Sequence, residues 1–170
     1  IYKRFTIDVG GKQKTITVGG RVDRLDEIRL NTPEEQLRVV DYKTGNKVAG
    51  QLKDVDAIFD SGKILTDKSD YIFQAVLYSI IEQTNDADNN PNHKPVSPAL
   101  LFIQHAGSDH YSPIVTLGGE PVTNAAAYEA DFENFLKAKL EELFGSETFV
   151  PTSNQRICEY CPYNQLCGRG

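Results

Sequence analysis

Gly20-Arg21-Val22-Asp23-Arg24-Leu25-Asp26 and, eighteen residues after Asp23, Val40-Asp41-Tyr42-Lys43-Thr44-Gly45 are the segments on which the fold of this chain turns. Residues 21–30 and 37–43 read as strands, and Asn31-Thr32-Pro33-Glu34-Glu35 between them has turn chemistry in its Asn and Pro. An antiparallel hairpin is expected. Side chains at i and i+2 of a strand share a face with Cα atoms about 6.6 Å apart, so Asp41 and Lys43 emerge side by side and Tyr42 points the other way. With the turn centred near Pro33, Asp23 is expected across from Lys43 and diagonal to Asp41, within the roughly 5–8 Å over which cross-strand side chains cooperate. Two carboxylates and an ammonium then share one patch.

Upstream, residues 3–9 and 13–18 alternate in polarity around Gly10-Gly11-Lys12, a second hairpin signal. Downstream, Phe73, Val76, Leu77, Ile80 and Ile81 recur at three- and four-residue intervals from Asp70 to about Thr84, which predicts an amphipathic helix with Ser69 or Asp70 as N-cap. Residues 85–97 form a polar loop, and Ala99–Ile103 is an apolar run of the kind that becomes a buried strand. A second helix is expected over about 123–144, with Tyr128, Phe132, Phe135, Leu136, Leu140, Leu143 and Phe144 on one stripe and Gly145 as its C′ residue. The order β-β-β-β-α-β-α predicts a mixed sheet flanked by helices, α/β or α+β in class. Residues 1–145 read as one core domain and 146–170 as a tail without periodicity.

At 170 residues the chain can bury a single sizeable core. The apolar, aromatic and charged fractions suit a globular protein, and no apolar run approaches the roughly 20 residues of a membrane helix, so a cytoplasmic protein with no membrane partner is expected. The chain starts at Ile1, contains no Met and has no signal-peptide pattern, which reads as a segment lacking its natural N-terminus. A net charge of −6 argues against nucleic acid, where Lys and Arg dominate binding. The charge is uneven, however: residues 1–60 hold 11 Lys/Arg against 10 Asp/Glu, and residues 61–170 hold 7 against 14. The acidity lies away from the Asp23–Lys43 patch.

That patch has a chemical use. Hard oxygen ligands suit Mg²⁺ or Mn²⁺, and Mg²⁺ is usually held by one or two carboxylates plus water and substrate phosphate. The ion would bind the scissile phosphate and acidify a water, with Lys43 orienting that water or offsetting charge on the phosphorane. The bland alternative makes Asp41 and Lys43 a solvated pair on an edge strand, worth about 0–1 kcal/mol. Gln74 and Tyr78, four apart, share one helix face at the rim of the apolar stripe, where they can touch both core and substrate or simply pack.

Gly20-x-x-Asp23-Arg24-x-Asp26, then Asp41-Tyr42-Lys43-Thr44-Gly45, then Gln74-x-x-x-Tyr78 closely resembles the PD-(D/E)XK nuclease domains of the RecB and AddB helicase-nuclease subunits and the iron–sulfur exonucleases of CRISPR adaptation. The resemblance implies a restriction-endonuclease-like fold and a metal-dependent DNA nuclease, an exonuclease of DNA repair or recombination working with a helicase domain or subunit. It implies Asp23 and Asp41 as metal ligands, the Tyr42 carbonyl as a third, Lys43 as the catalytic lysine, and Gln74 and Tyr78 as a helix motif facing the site. Arg24 and Asp26 read as structural.

Cys158-x2-Cys161-x5-Cys167 gathers all three cysteines in the last thirteen positions, which suits a local metal site in a reducing compartment better than a disulfide framework. Zinc and cubane iron–sulfur clusters normally take four protein ligands, so one is missing. In the resembled families the fourth Cys lies upstream of the nuclease motifs, as does a helix carrying a His near the metal; a 4Fe–4S cluster is therefore expected in a longer protein, with little metal held by this segment alone. Zinc with His93, His105 or His110 is the alternative. A catalytically silent DNA-binding or scaffold module and an iron–sulfur electron carrier are the rival functions; the presence of Asp23, Asp41 and Lys43 together favours the nuclease.

Overall fold

The computed structural model describes residues 1–29, 35–85, 89–159 and 161–169. Strands β1 (Tyr2–Val9) and β2 (Lys12–Gly19) pair antiparallel from Val9–Lys12 outward. Gly10 and Gly11 make the two-residue turn, at φ 61° and 78°, the left-handed pair whose twist matches that of the strands. The second hairpin pairs β3 (Arg24–Arg29) with β4 (Glu35–Lys43), both shifted from the expected bounds; residues 31–34 of the predicted turn lie outside the described residues.

Strand β5 (Val96–Phe102) lies parallel to β4, giving the sheet order β3-β4-β5. A short ribbon, β6 (Thr116–Leu117) and β7 (Glu120–Pro121), forms a third small sheet. The class is mixed α/β, as expected, and consistent with a restriction-endonuclease-like fold. β4 is hydrogen-bonded on both sides, and its residues from Gln36 to Asp41 are buried or half-buried on both faces.

The crossover from β4 to β5 carries α1 (Lys63–Asp67) and α2 (Ser69–Thr84). Helix α2 corrects two expectations. Its N-cap is Lys68, at φ 56° and without a side-chain cap, so neither Ser69 nor Asp70 caps it. Nor is it amphipathic in its second half, where every residue from Ala75 to Gln83 is buried, including Ser79, Glu82 and Gln83. It packs on β4 and β5 on one side and is covered on another by β2 and the 3-10 turn Ala125–Tyr128. Gln83 ties these layers together: its Oε1 accepts from Val96 N and Ala126 N, both at 3.1 Å, and its Nε2 donates to Asn124 Oδ1 at 2.7 Å.

Helix α3 (Glu129–Gly145) starts later than expected, because residues 125–128 form that 3-10 turn. Phe132 enters an aromatic cluster with Phe59 and Phe73, at ring separations of 5.0–5.5 Å. The expected stripe is not buried to its end: Leu143 and Phe144 are exposed. Helix α3 runs along β1, with Glu129 and Glu133 on Lys3 and Glu141 accepting from Asp8 N, and β1 ends at Val9, so the last turn overhangs it. Gly145 is the last helical residue and not a left-handed C′ residue; the end is closed by Ser146, which donates from Oγ to Glu142 O at 2.6 Å. The following segment contains one short helix, α4 (Gln155–Glu159). No helix among the described residues is long and apolar enough to cross a membrane.

Candidate active site

Asp41 and Lys43 end the central strand and point to the face covered by α2. Asp41 is 5% exposed, and its Oδ2 lies 2.7 Å from Lys43 Nζ in an ion pair without hydrogen-bond geometry. The buried oxygen thus has a countercharge but no directed donor. A buried carboxylate needs a positive partner, and Lys43 supplies it here.

The register differs from expectation by two residues. Arg24 pairs with Val40 and Asp26 with Arg38, so the line of pairing continues from Asp23 to Asp41, not to Lys43. Asp23 lies just ahead of β3, is exposed, and accepts at Oδ2 from Tyr42 N at 3.0 Å. Its carboxylate therefore sits against the Asp41–Tyr42 peptide, closer to Asp41 than the sequence reading had it.

Tyr42 projects to the opposite face, as alternation requires. There the Arg24 guanidinium lies 5.5 Å from its ring centroid, donates to its hydroxyl at 2.8 Å, and also donates to Asp26 Oδ2 at 2.8 Å. Arg24 and Asp26 thus brace the back of β4 and do not enter the Asp41 patch.

Helix α2 completes the site. Lys43 Nζ donates to Gln74 Oε1 at 3.1 Å, and Gln74 Nε2 donates to Tyr78 Oη at 3.4 Å. A polar chain therefore runs Asp41–Lys43–Gln74–Tyr78. It ends at Gly20, where a Cβ would stand 1.9 Å from Tyr78 Oη, so only glycine lets the backbone pass the phenol. The motif pattern alone assigns Gly20 no physical role and does not include Tyr71, whose ring centroid lies 4.1 Å from Lys43 Nζ. Tyr71 is three residues before Gln74 and seven before Tyr78, a helical stripe that was visible in the sequence.

Asp23 and Asp41 offer hard carboxylate oxygens, a donor type that fits Mg²⁺ or Mn²⁺ with water and phosphate completing the shell. Among the described residues no group of three or more His, Cys, Asp or Glu side chains is placed to hold a metal ion. The three cysteines are accordingly free and differ in environment: Cys158 is buried, Cys161 half-buried and Cys167 exposed. They are not gathered as ligands, and His93 and His105 have ring nitrogens on the carbonyls of Gln83 and Asn46.

A family model described as the PD-(D/E)XK nuclease superfamily matches residues 2–168. Comparison with curated proteins and with solved structures returns no match.

Proposed function

The chain belongs to the PD-(D/E)XK nuclease superfamily, and from that premise we propose that it is a metal-dependent deoxyribonuclease hydrolysing phosphodiester bonds at the Asp23–Asp41–Lys43 patch. The observation that carries this reading is the nearly buried Asp41 with an undirected oxygen, paired with Lys43 at 2.7 Å. A surface salt bridge of the ordinary kind would not be so enclosed.

Asp23, Asp41 and the Tyr42 carbonyl would hold a divalent ion, which when bound supplies Lewis acidity to the phosphate and lowers the pKa of a water. The chain's own groups do the positioning. Gln74 accepts a hydrogen bond from Lys43 and, through Tyr78, is anchored to the Gly20 passage, so the ammonium is held on the Asp41 side. From there Lys43 can donate to a phosphate oxygen as charge grows on it.

Exonuclease action, a helicase domain or subunit as partner, a role in DNA repair or recombination, a cytoplasmic setting and a 4Fe–4S cluster on Cys158, Cys161 and Cys167 belong to the same proposal. They rest on the motif resemblance, and the cluster further needs the three thiols to close up and a fourth ligand to join them. The central test is cleavage of labelled single- and double-stranded DNA with and without Mg²⁺ or Mn²⁺. Cleavage is expected only with metal, and Asp41→Ala is expected to abolish it with the circular dichroism spectrum retained. Metal-independent cutting, or an active Asp41→Ala protein, refutes the reading.

A further inference from the structure

A cavity of about 310 Å³ opens one strand away from the site. Its floor is Ile72 of α2, Leu100 and Phe102 of β5, and Val115. Leu100 and Phe102 are the parallel partners of Asp41 and Lys43, so they share the face on which those side chains stand, about 4.8 Å across the ladder. Tyr71 links the two places: its ring lies 6.3 Å from that of Phe102, with Lys43 Nζ 4.1 Å and Lys68 Nζ 5.6 Å from the same ring centroid.

The mouth is of a different character. Gln51, His110 and Ser112 are exposed around it and bring amide, imidazole and hydroxyl groups to an otherwise apolar hollow. Tyr111 makes the rim firm: its hydroxyl donates to Leu100 O and accepts from Phe102 N at 2.9 Å, fastening the segment to β5. The cavity is thus preformed and sized at the lower end of small-ligand sites.

We infer that this cavity takes one unstacked nucleobase of the strand whose phosphate lies at Lys43, which makes the substrate of the nuclease site a single strand or an unpaired end. The inference rests on the proposed nuclease function and adds the substrate class to it. Charge separates the two halves of a nucleotide here: the cations Lys43 and Lys68 lie at the Tyr71 ring, where the phosphate belongs. The cavity has an aliphatic and aromatic floor that suits a neutral flat ring and would exclude an anion. Polar rim groups match the edge of a base, as in pockets that receive extruded bases. A base held in a duplex stack cannot reach the floor.

The test uses the wild-type protein, a divalent metal and end-labelled single strands in which one abasic residue replaces a normal nucleotide. Cleavage is expected to slow by about tenfold at one phosphodiester at a fixed offset from the abasic residue, the loss expected when a base gives up its contacts. Ser112→Trp and Gln51→Trp, two separate ways of closing the mouth, are expected to slow cutting of the normal strand by a similar factor and to make it indifferent to the abasic residue. Even cleavage through the abasic position overturns the base pocket and leaves the nuclease standing. Absence of metal-dependent cleavage on every DNA tested overturns the nuclease reading and this inference with it.

Discussion

Gly20→Ala probes the link between the site and the core more sharply than any change at the site itself. The added methyl would meet Tyr78 Oη at 1.9 Å, Cζ at 2.7 Å and Cε1 at 3.2 Å, so the ring must retreat by about 1.5 Å to reach the 3.4 Å of ordinary contact. Tyr78 is only 8% exposed on a helix buried on both sides, which leaves little room for that retreat. Overpacking of this kind costs about 1–3 kcal/mol. A chain of this length loses roughly 2–4 °C per kcal/mol, so Tm should fall by about 2–12 °C. Activity should suffer more. The 3.4 Å bond from Gln74 to Tyr78 Oη breaks, Gln74 no longer fixes Lys43, and a misplacement near 1 Å costs about 100-fold in rate. Single-turnover cleavage and thermal denaturation read the two effects. In a Tyr78→Phe background the nearest atom is gone and the Tm penalty of Gly20→Ala should shrink by about half. Wild-type rate and Tm in Gly20→Ala, or an equal Tm penalty in both backgrounds, would refute the reasoning.

Lys43→Met leaves Asp41 buried without its countercharge, which should cost about 3 kcal/mol and abolish cleavage, and added Mn²⁺ should recover part of the lost Tm in calorimetry; a Tm indifferent to Mn²⁺ counts against a cation site at Asp41. Burial raises the pKa of Glu82, partly offset by the charge of the Ile1 ammonium and a hydrogen bond with Asn89, so the folded state binds its proton more tightly than the unfolded one and its contribution to stability is lost as pH rises above about 4.5. Glu82→Gln should therefore gain on wild type in urea titrations as pH rises from 4 toward 8, and a pH-independent difference sinks the assignment. Thiol labelling should find Cys167 fastest and Cys158 slowest, whereas equal protection of all three, lifted together by a chelator, would point to a shared metal.

The hairpins and the patch were legible in the sequence because each rests on local chemistry: Gly10-Gly11 for the first turn, and period-two alternation for the shared face of Asp41 and Lys43. The step between Asp23 and its partner was not, since register depends on where the turn is centred, and an error of one residue in that centre displaces the pairing by two. Helix α2 was found by its period, but that period also described a half-exposed helix; its burial comes from the β1–β2 hairpin and residues 125–128, distant in the chain. The cavity was invisible for the same reason, because Gln51, Ile72, Leu100 and Ser112 meet only in three dimensions. Tyr71 was within reach, but an aromatic residue near a helix start reads as core packing unless the lysine it faces is known.

Because β4 is laddered to β3 on one side and to β5 on the other, the amides beneath Asp41 and Lys43 exchange with solvent only when the whole three-stranded sheet comes apart. The segment carrying the cysteines lies outside that sheet and can open by itself at lower free energy. Protease nicking or mild denaturant should therefore release that segment first while the ammonium–carboxylate pair survives, and loss of that pair should coincide with global unfolding.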